Sequence, residues 1–329
     1  METAAKAAGK TLGLFVALVL GIAGGEASAQ TYPSRPIKFV VGFTPGGAPD
    51  TLGRMFGQRL AERLGQPVTV ENRAGAAGMI ASEYVKSAAP DCYTLLVGAT
   101  GPMVFSPGLY ERLSYDPVRD FLPIVQFESH PTVFAVHSSV PATSLKDLIA
   151  LAKAKPGELF YGSSAASFQV AAELFKKQAG INIVHVPFKG SVPALTAAIS
   201  GEVQMVVLEM PSVFTQLQAG KIRALAVTSS KRSALLPDVP TVEESGFPNY
   251  ELMLWIGLFA PAGTPGAIVD KLYGELSLIL GQDIIKERLT AMGYEPAARS
   301  LPPAEFGAKH KADVEKWTKV SRELNIRAD

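Results

Sequence analysis

Along the chain the apolar positions switch repeatedly between a strand period and a helix period. Residues 37–43 are short, apolar and β-branched, whereas Leu52, Met55, Phe56, Leu60 and Leu64 recur at helical spacing, with Gly65 as a stop signal. A strand, a glycine turn and a helix therefore follow one another. Residues 68–72 predict a second strand, 79–88 a helix and 93–97 a third strand, with glycine or proline between them. This β-α-β-α-β alternation predicts a parallel sheet covered on both faces. Near Glu158 the pattern restarts: a strand at 159–161, a small-residue loop at 162–167 and a helix near 168–179. Strands at 183–186, 203–208 and 224–227 follow, alternating with helices at 193–200 and near 214–218. A second α/β domain of similar build is predicted.

Two long β-rich segments, 124–137 and 250–261, lie between the halves and suit a two-strand hinge. The predicted organisation is domain one from residues 30–128 plus 255–329, and domain two from 129–254. Ligand sites favour clefts between domains and the carboxyl ends of parallel strands, so the small-residue loops of the two halves are expected to face one cleft.

Composition fits that picture. The first 29 residues read as a secretory signal peptide: Lys6 and Lys10 precede an apolar run at 12–23, and Ala27-Ser28-Ala29 forms a small-residue cleavage site. A periplasmic or secreted location follows. The remaining chain of about 300 residues exceeds the comfortable size of one core, and 47% apolar content fills two. Without Glu2, Lys6, Lys10 and Glu26, 31 basic and 30 acidic residues become 29 and 28, a net charge still of +1. Nothing in that balance steers nucleic acid or an anionic membrane. The sole cysteine, Cys92, permits no intramolecular disulfide and reads as a buried small hydrophobe.

The candidate chemistry is anion binding. In Phe43-Thr44-Pro45-Gly46-Gly47-Ala48-Pro49-Asp50 a glycine pair joins strand to helix. A helix begins with unpaired N–H groups and partial positive charge, and glycine admits a ligand close to the backbone. Thr44, Pro45, Gly46 and Gly47 are therefore candidate ligand residues. Asp50 reads either as the N-cap of a helix over 51–64 or as a ligand-site residue that shapes the contacts, by holding the loop or by meeting an amino or hydroxyl group of the ligand. Thr100 and Gly101 follow a strand and stand equally as cleft wall or as an ordinary turn. Ser163, Ser164 and Ser167 either cap the next helix or donate to a ligand. Gly190 and Ser191 precede another helix and invite the same two readings. Glu209 ends an apolar strand, as a solvated acid or a cleft residue, and Phe168 is a core or a ligand-stacking aromatic. Trp255 reads as hinge or core packing. His130, His137, His185 and His310 lack metal-ligand spacing, and no nucleophile–base or phosphate-loop motif is present, so no metal, cofactor or catalytic residue is expected.

An ordered series of landmarks carries a resemblance. It includes Tyr32-Pro33-Ser34-Arg35-Pro36-Ile37, Pro45-Gly46-Gly47 with Asp50, Val70-Glu71-Asn72-Arg73, Tyr115-Asp116-Pro117 and Tyr161-Gly162-Ser163. His185-Val186-Pro187-Phe188-Lys189-Gly190, Leu236-Pro237-Asp238-Val239-Pro240-Thr241 and Ala260-Pro261-Ala262-Gly263-Thr264-Pro265 continue it. The chain resembles the Bug or TctC-like receptors of tripartite tricarboxylate transporters through nearly its whole length. The resemblance implies a two-lobed, type II periplasmic-binding-protein fold, without enzymatic activity, that closes as a monomer on a small organic acid and delivers it to a membrane permease. Its two ligand loops map on residues 44–50 and on the segment after Ser163. Here the chain departs from the family pattern. Ser163-Ser164-Ala165-Ala166-Ser167-Phe168-Gln169-Val170 is about two residues shorter than the usual glycine-rich loop, and Val170 stands where a His is usual. A less polar distal pocket, with Val170 beside Phe168, is the expectation, and with it an acid of aromatic or apolar body. An α/β enzyme acting on a small acid and a periplasmic sensor component touching a signalling ectodomain are the alternative functions.

Overall fold

The apolar run IKFVV forms β1 (Ile37–Val41), the middle strand of a parallel trio with β2 (Val68–Asn72) and β3 (Thr94–Ala99). Its side chains are buried on both faces, as an interior parallel strand requires. This is a computed structural model that describes residues 32–296 and 299–327. The signal peptide read in residues 1–29 lies outside the described residues. Helix α1 (Ala48–Leu64) covers β1 and β2 with Leu52, Met55, Phe56 and Leu60 buried, and ends at Gly65 in the left-handed region. Helix α2 (Met79–Lys86) follows β2.

After β3 the chain winds through a π-helical turn, Gly101–Phe105, into the short helix α3 (Ser106–Leu109). It then enters β4 (Phe121–His137), a strand of 17 residues. The first half of β4 pairs antiparallel with β9 (Met253–Pro261), from Phe121↔Pro261 to Pro131↔Met253. Its second half pairs antiparallel with β7 (Met205–Glu209) and β8 (Ile222–Val227). Since β9 also pairs with β3, and β7 with β5 (Phe160–Ser163), β4 and β9 stitch two sheets into one path. That path runs β2-β1-β3-β9-β4-β7-β5-β6, with β6 (Val184–Pro187) at its end and β8 on β4. The result is the expected α/β fold of two lobes joined through two long strands.

The second lobe carries α4 (Leu145–Ala154), α5 (Ala166–Ala179), α6 (Ser191–Ile199) and α7 (Met210–Gln218). The C-terminal helices are α8 (Gly266–Leu280), α9 (Asp283–Ala291) and α10 (Pro303–Glu323). Helix α10 returns to the first lobe, where Phe306 and His310 meet Trp255 edge-on and Trp317 packs on Phe105. At the second lobe's centre Phe134 meets Phe175 and Tyr250 edge to face. Cys92 is fully buried, and burial pushes its thiol up to about 12, consistent with an inert packing role.

Several helix starts differ from the sequence reading, and each shift moves a candidate residue. Helix α1 begins at Ala48, so Gly47 is the N-cap and Asp50 lies inside the first turn; the N-cap reading of Asp50 is corrected. Proline at the second helical position, which needs no N–H there, makes that earlier start possible. Strand β5 runs through Ser163 and α5 starts at Ala166, leaving Ser164 and Ala165 as the link. Helix α6 starts at Ser191 with Gly190, at φ 123°, as its cap.

A cleft lined by helix N-termini

Helices α1 and α5 begin on different lobes, yet their first residues line the same cavity of about 450 Å³, a size that suits a small-molecule ligand. Ala48 and Pro49 come from α1, and Ala166 and Ser167 from α5, behind its cap Ala165. Glu209, the N-cap of α7, completes the set. Unpaired amides at these ends make the cavity favourable for an anion. Pro49 has no N–H, so Ala48 supplies the lining amide of α1.

The floor is the antiparallel ladder of the two long strands. His130 of β4 lies there with Leu254, Trp255 and Ile256 of β9. The remaining wall belongs to the first lobe: Phe43, Ala77, Ala99, Thr100 and Gly101, then Phe105, Ser106, Leu109 and Tyr110. Most of these side chains are apolar, so the body of a ligand meets hydrocarbon while polar groups cluster at the helix ends.

Six of the residues singled out from sequence meet in this cavity: Thr100, Gly101, Ser164, Ser167, Phe168 and Glu209. Thr44, Pro45 and Gly46 are exposed at the tip of the first loop, and Gly47 is half-buried beside it, with Phe43, Ala48 and Pro49 lining the cavity instead. Asp50 is 3% exposed and turned inward. It accepts from the Gly46 N–H at 2.9 Å, from Asn72 Nδ2 at 2.8 Å and from Arg54 Nε at 3.1 Å. Burial works against its charge, but Arg54, the Gly46 amide and Asn72 outweigh burial and hold its carboxyl at about 2. Asp50 thus fixes the loop from behind.

Ser163 is buried in β5, 2.8 Å from His185 Nε2. Burial, reinforced by Lys176, lowers the pKa of His185 against the pull of Glu173. Gly190 and Ser191 stand one layer behind the cavity wall, where Ser191 Oγ bonds Ser164 Oγ at 2.8 Å and Glu209 Oε1 at 2.8 Å. The expectation that Val170 borders the ligand is corrected. It is fully buried in the core on the inward face of α5, while Phe168 two residues earlier lines the cavity. Two residues of helix separate them by about 200°, so the two side chains point to opposite sides of α5.

Sequence reasoning missed His130. Its signal is the polar interruption Glu128-Ser129-His130 in an otherwise apolar strand. His130 Nδ1 lies 2.7 Å from Glu128 Oε2, and since a carboxylate accepts, Nδ1 carries a proton; the residue lines the cavity. Burial opposes a charge on this imidazole, but Glu128 outweighs it, with help from Glu209 and Glu295, and the pKa lies above the ordinary 6.5. Phe105, Leu109 and Tyr110 were also missed, because Pro102 and Pro107 mask the helical stretch that carries them. Ala77 and Ala99 are small and give no signal. Trp255 packs in the core as expected and also forms floor, with its Nε1–H donated to Asp313 at 3.1 Å. Among the described residues no cluster of His, Cys, Asp or Glu could hold a metal ion, and no helix is long and apolar enough to cross a membrane.

Comparison with known proteins gives a consistent set of relatives. The family model described as "Tripartite tricarboxylate transporter family receptor", TctC, matches residues 52–326. Protein BugT of Bordetella pertussis is 35% identical over 319 residues, covering 96% of this chain and 97% of BugT. Rpa4515 of R. palustris, solved with adipate, superposes with a TM-score of 0.81 at 37% identity, over 90% of this chain and 99% of its own. MatC (Rpa3494) from Rhodopseudomonas palustris, solved with bound malate, does so with a TM-score of 0.76 at 31% identity, over 88% and 100%.

Proposed function

We propose, from the premise that this chain belongs to the tripartite tricarboxylate transporter receptor family, that it is a periplasmic receptor binding one small carboxylate in the cavity between its lobes. Members of the family are solute receptors and not enzymes, and they work with tripartite transporters. A membrane permease of that type is the partner to which this chain delivers its ligand. The observation that carries the reading is the convergence of α1 and α5, one from each lobe, on one cavity. An anion there bridges two helix N-termini that belong to different lobes, so binding favours the closed arrangement. The adipate and malate of the two solved relatives are carboxylates and support the ligand class.

The ligand's carboxylate meets the amides of Ala48 and Ala166 together with the hydroxyls of Ser167 and Thr100. Its body meets Phe43, Phe105, Phe168, Leu254 and Ile256, where burial contributes about 25 cal/mol per Å² of apolar surface. An acid with an aromatic or apolar body fits this lining better than a citrate-like one. Each further carboxylate would need its own donors, and an unpaired buried charge costs several kcal/mol. The lobes correspond to residues 30–128 with 255–329, and to 129–254. A thermal-shift screen of mono-, di- and tricarboxylates tests the reading: acids with an apolar body raise the melting temperature, and the bound acid is recovered unchanged. A screen in which no carboxylate shifts the transition contradicts it.

A further inference from the structure

The polar corner of the cavity, at Ser164 and Glu209, has a fixed direction of hydrogen bonding. Ser191 Oγ donates to Glu209 Oε1 at 2.8 Å and lies 3.1 Å from Oε2. A hydroxyl carries one proton, so the 2.8 Å contact between Ser191 and Ser164 is made with the proton of Ser164. Ser212 donates its own proton to the same carboxylate. The relay Ser164→Ser191→Glu209 therefore points every hydroxyl proton away from the cavity. Ser164 and Glu209 both line the cavity, and what they present to it is lone pairs.

Those acceptors stand directly beside donors. Ser164 precedes Ala165, the cap of α5, so it lies about 3.8 Å by backbone spacing from the helix N-terminus proposed to take the carboxylate. A bare carboxylate cannot satisfy both, because an oxygen turned toward Ser164 and Glu209 meets only acceptors, one of them charged. Resting on the carboxylate reading above, we infer that the ligand carries a hydrogen-bond donor, a hydroxyl or an ammonium, on the first or second carbon from its carboxylate, and that Ser164 and Glu209 bind that donor. Glu209 is the specificity-determining residue, and it acts both directly and by setting the polarity of Ser164. The ligand class becomes hydroxy or amino acids with an apolar body. Leaving a site acceptor without its donor is a heavier penalty than losing apolar contact, so matched ligands separate widely.

The test is calorimetric titration of the full secreted chain with matched acids. One set is 3-phenylpropanoate, 3-phenyllactate and phenylalanine; the other is 4-methylpentanoate, 2-hydroxy-4-methylpentanoate and leucine. Within a set, the hydroxy or the amino member is expected to bind at least tenfold tighter than the unsubstituted acid. Glu209→Gln provides a second readout. Its amide can donate to Ser191, which reverses the relay and turns the Ser164 proton into the cavity. That variant is expected to lose the preference and to favour the 2-oxo analogues, with a cooperative thermal transition in the absence of ligand showing that it is folded. Glu209→Asp, which keeps the carboxylate, is expected to retain the preference. Equal affinity across a set, or a preference that survives Glu209→Gln, overturns the inference and leaves the receptor reading intact. Failure of every acid to bind overturns that reading, and this inference with it.

Discussion

The imidazole Nδ1 of His130 lies 2.7 Å from Oε2 of Glu128, a buried pair on β4, one of the two long strands that join the lobes. Glu128 is fully buried and its other oxygen, Oε1, has no hydrogen-bond partner, so the imidazole is its principal compensation. The folded pKa of His130 is raised by Glu128, with Glu209 and Glu295 adding to it, despite the opposing effect of burial. A raised pKa means that the folded state binds the proton more tightly than the unfolded state. The stabilisation is therefore fully present below the unfolded value, near 6.5, and is lost as pH rises through the folded value. Urea unfolding of the wild type and His130→Gln checks this. The variant keeps a donor for Glu128 but not the charge, so the stability gap is expected to be wide at pH 6 and to shrink by pH 9. A gap independent of pH contradicts the charged pair.

Asp50 works in the opposite pH range. Its carboxyl sits at about 2, below the ordinary 3.8, through Arg54, Gly46 and Asn72 acting against burial. A depressed pKa gives stability that is present above the unfolded value and lost as pH falls through the folded one. Asp50→Asn is expected to cost about 1–2 kcal/mol at pH 7, the low end reflecting the half-exposed Arg54. That cost declines below pH 4 and vanishes below about pH 2. Denaturant titrations at pH 7, 4 and 3 follow the decline, and a constant difference would exclude the ion pair as its cause.

The two glycines of the first loop are not equivalent. Gly46 has φ 85°, a left-handed conformation, whereas Gly47 has φ −71° and ψ 167°, which any residue adopts. Gly46→Ala is expected to destabilise by about 1–2 kcal/mol. Gly47→Ala, whose added carbon would stand 3.5 Å from the Thr44 carbonyl, is expected to change the melting temperature little. Equal losses at both positions would show that the loop geometry is governed by something other than backbone conformation.

Much of the fold was legible because its interior strands, such as β1, β3 and β7, are buried on both faces and its helices carry one apolar stripe, so the periods survive in the sequence. The alternation from Ile37 to Val97 and its restart near Glu158 are of this kind. The site was less legible. Thr100, Gly101, Ser164, Ser167, Phe168 and Glu209 could be singled out as cavity candidates because they stand where strands give way to helices. Val170 was misplaced because it stands two residues after Phe168 on α5, about 200° around the helix and so on the side that faces the core. His130 and Trp255 were underread because a cavity floor built from two paired strands far apart in sequence is a tertiary property, and the local pattern there is that of any buried strand.

Trp255 gives a direct optical readout. It is fully buried but lines the cavity, whereas the chain's other tryptophan, Trp317, is not one of the lining residues and packs behind Phe105. Ligand binding is expected to change the fluorescence of the wild type in a saturable way. Trp255→Phe is expected to lose most of that change while still binding by calorimetry. A signal that persists in Trp255→Phe would place the ligand's effect elsewhere.

The most direct measurement is a crystal structure of the protein grown with a bound carboxylate identified by screening. One acid is expected between the lobes, its carboxylate oxygens on the amides of Ala48 and Ala166 and its body against Phe168 and Trp255, with residues of both lobes in contact. The contradicting result is an acid seated elsewhere, as in the surface groove that holds Lys86, Arg119 and Arg322, with the cavity between α1 and α5 empty.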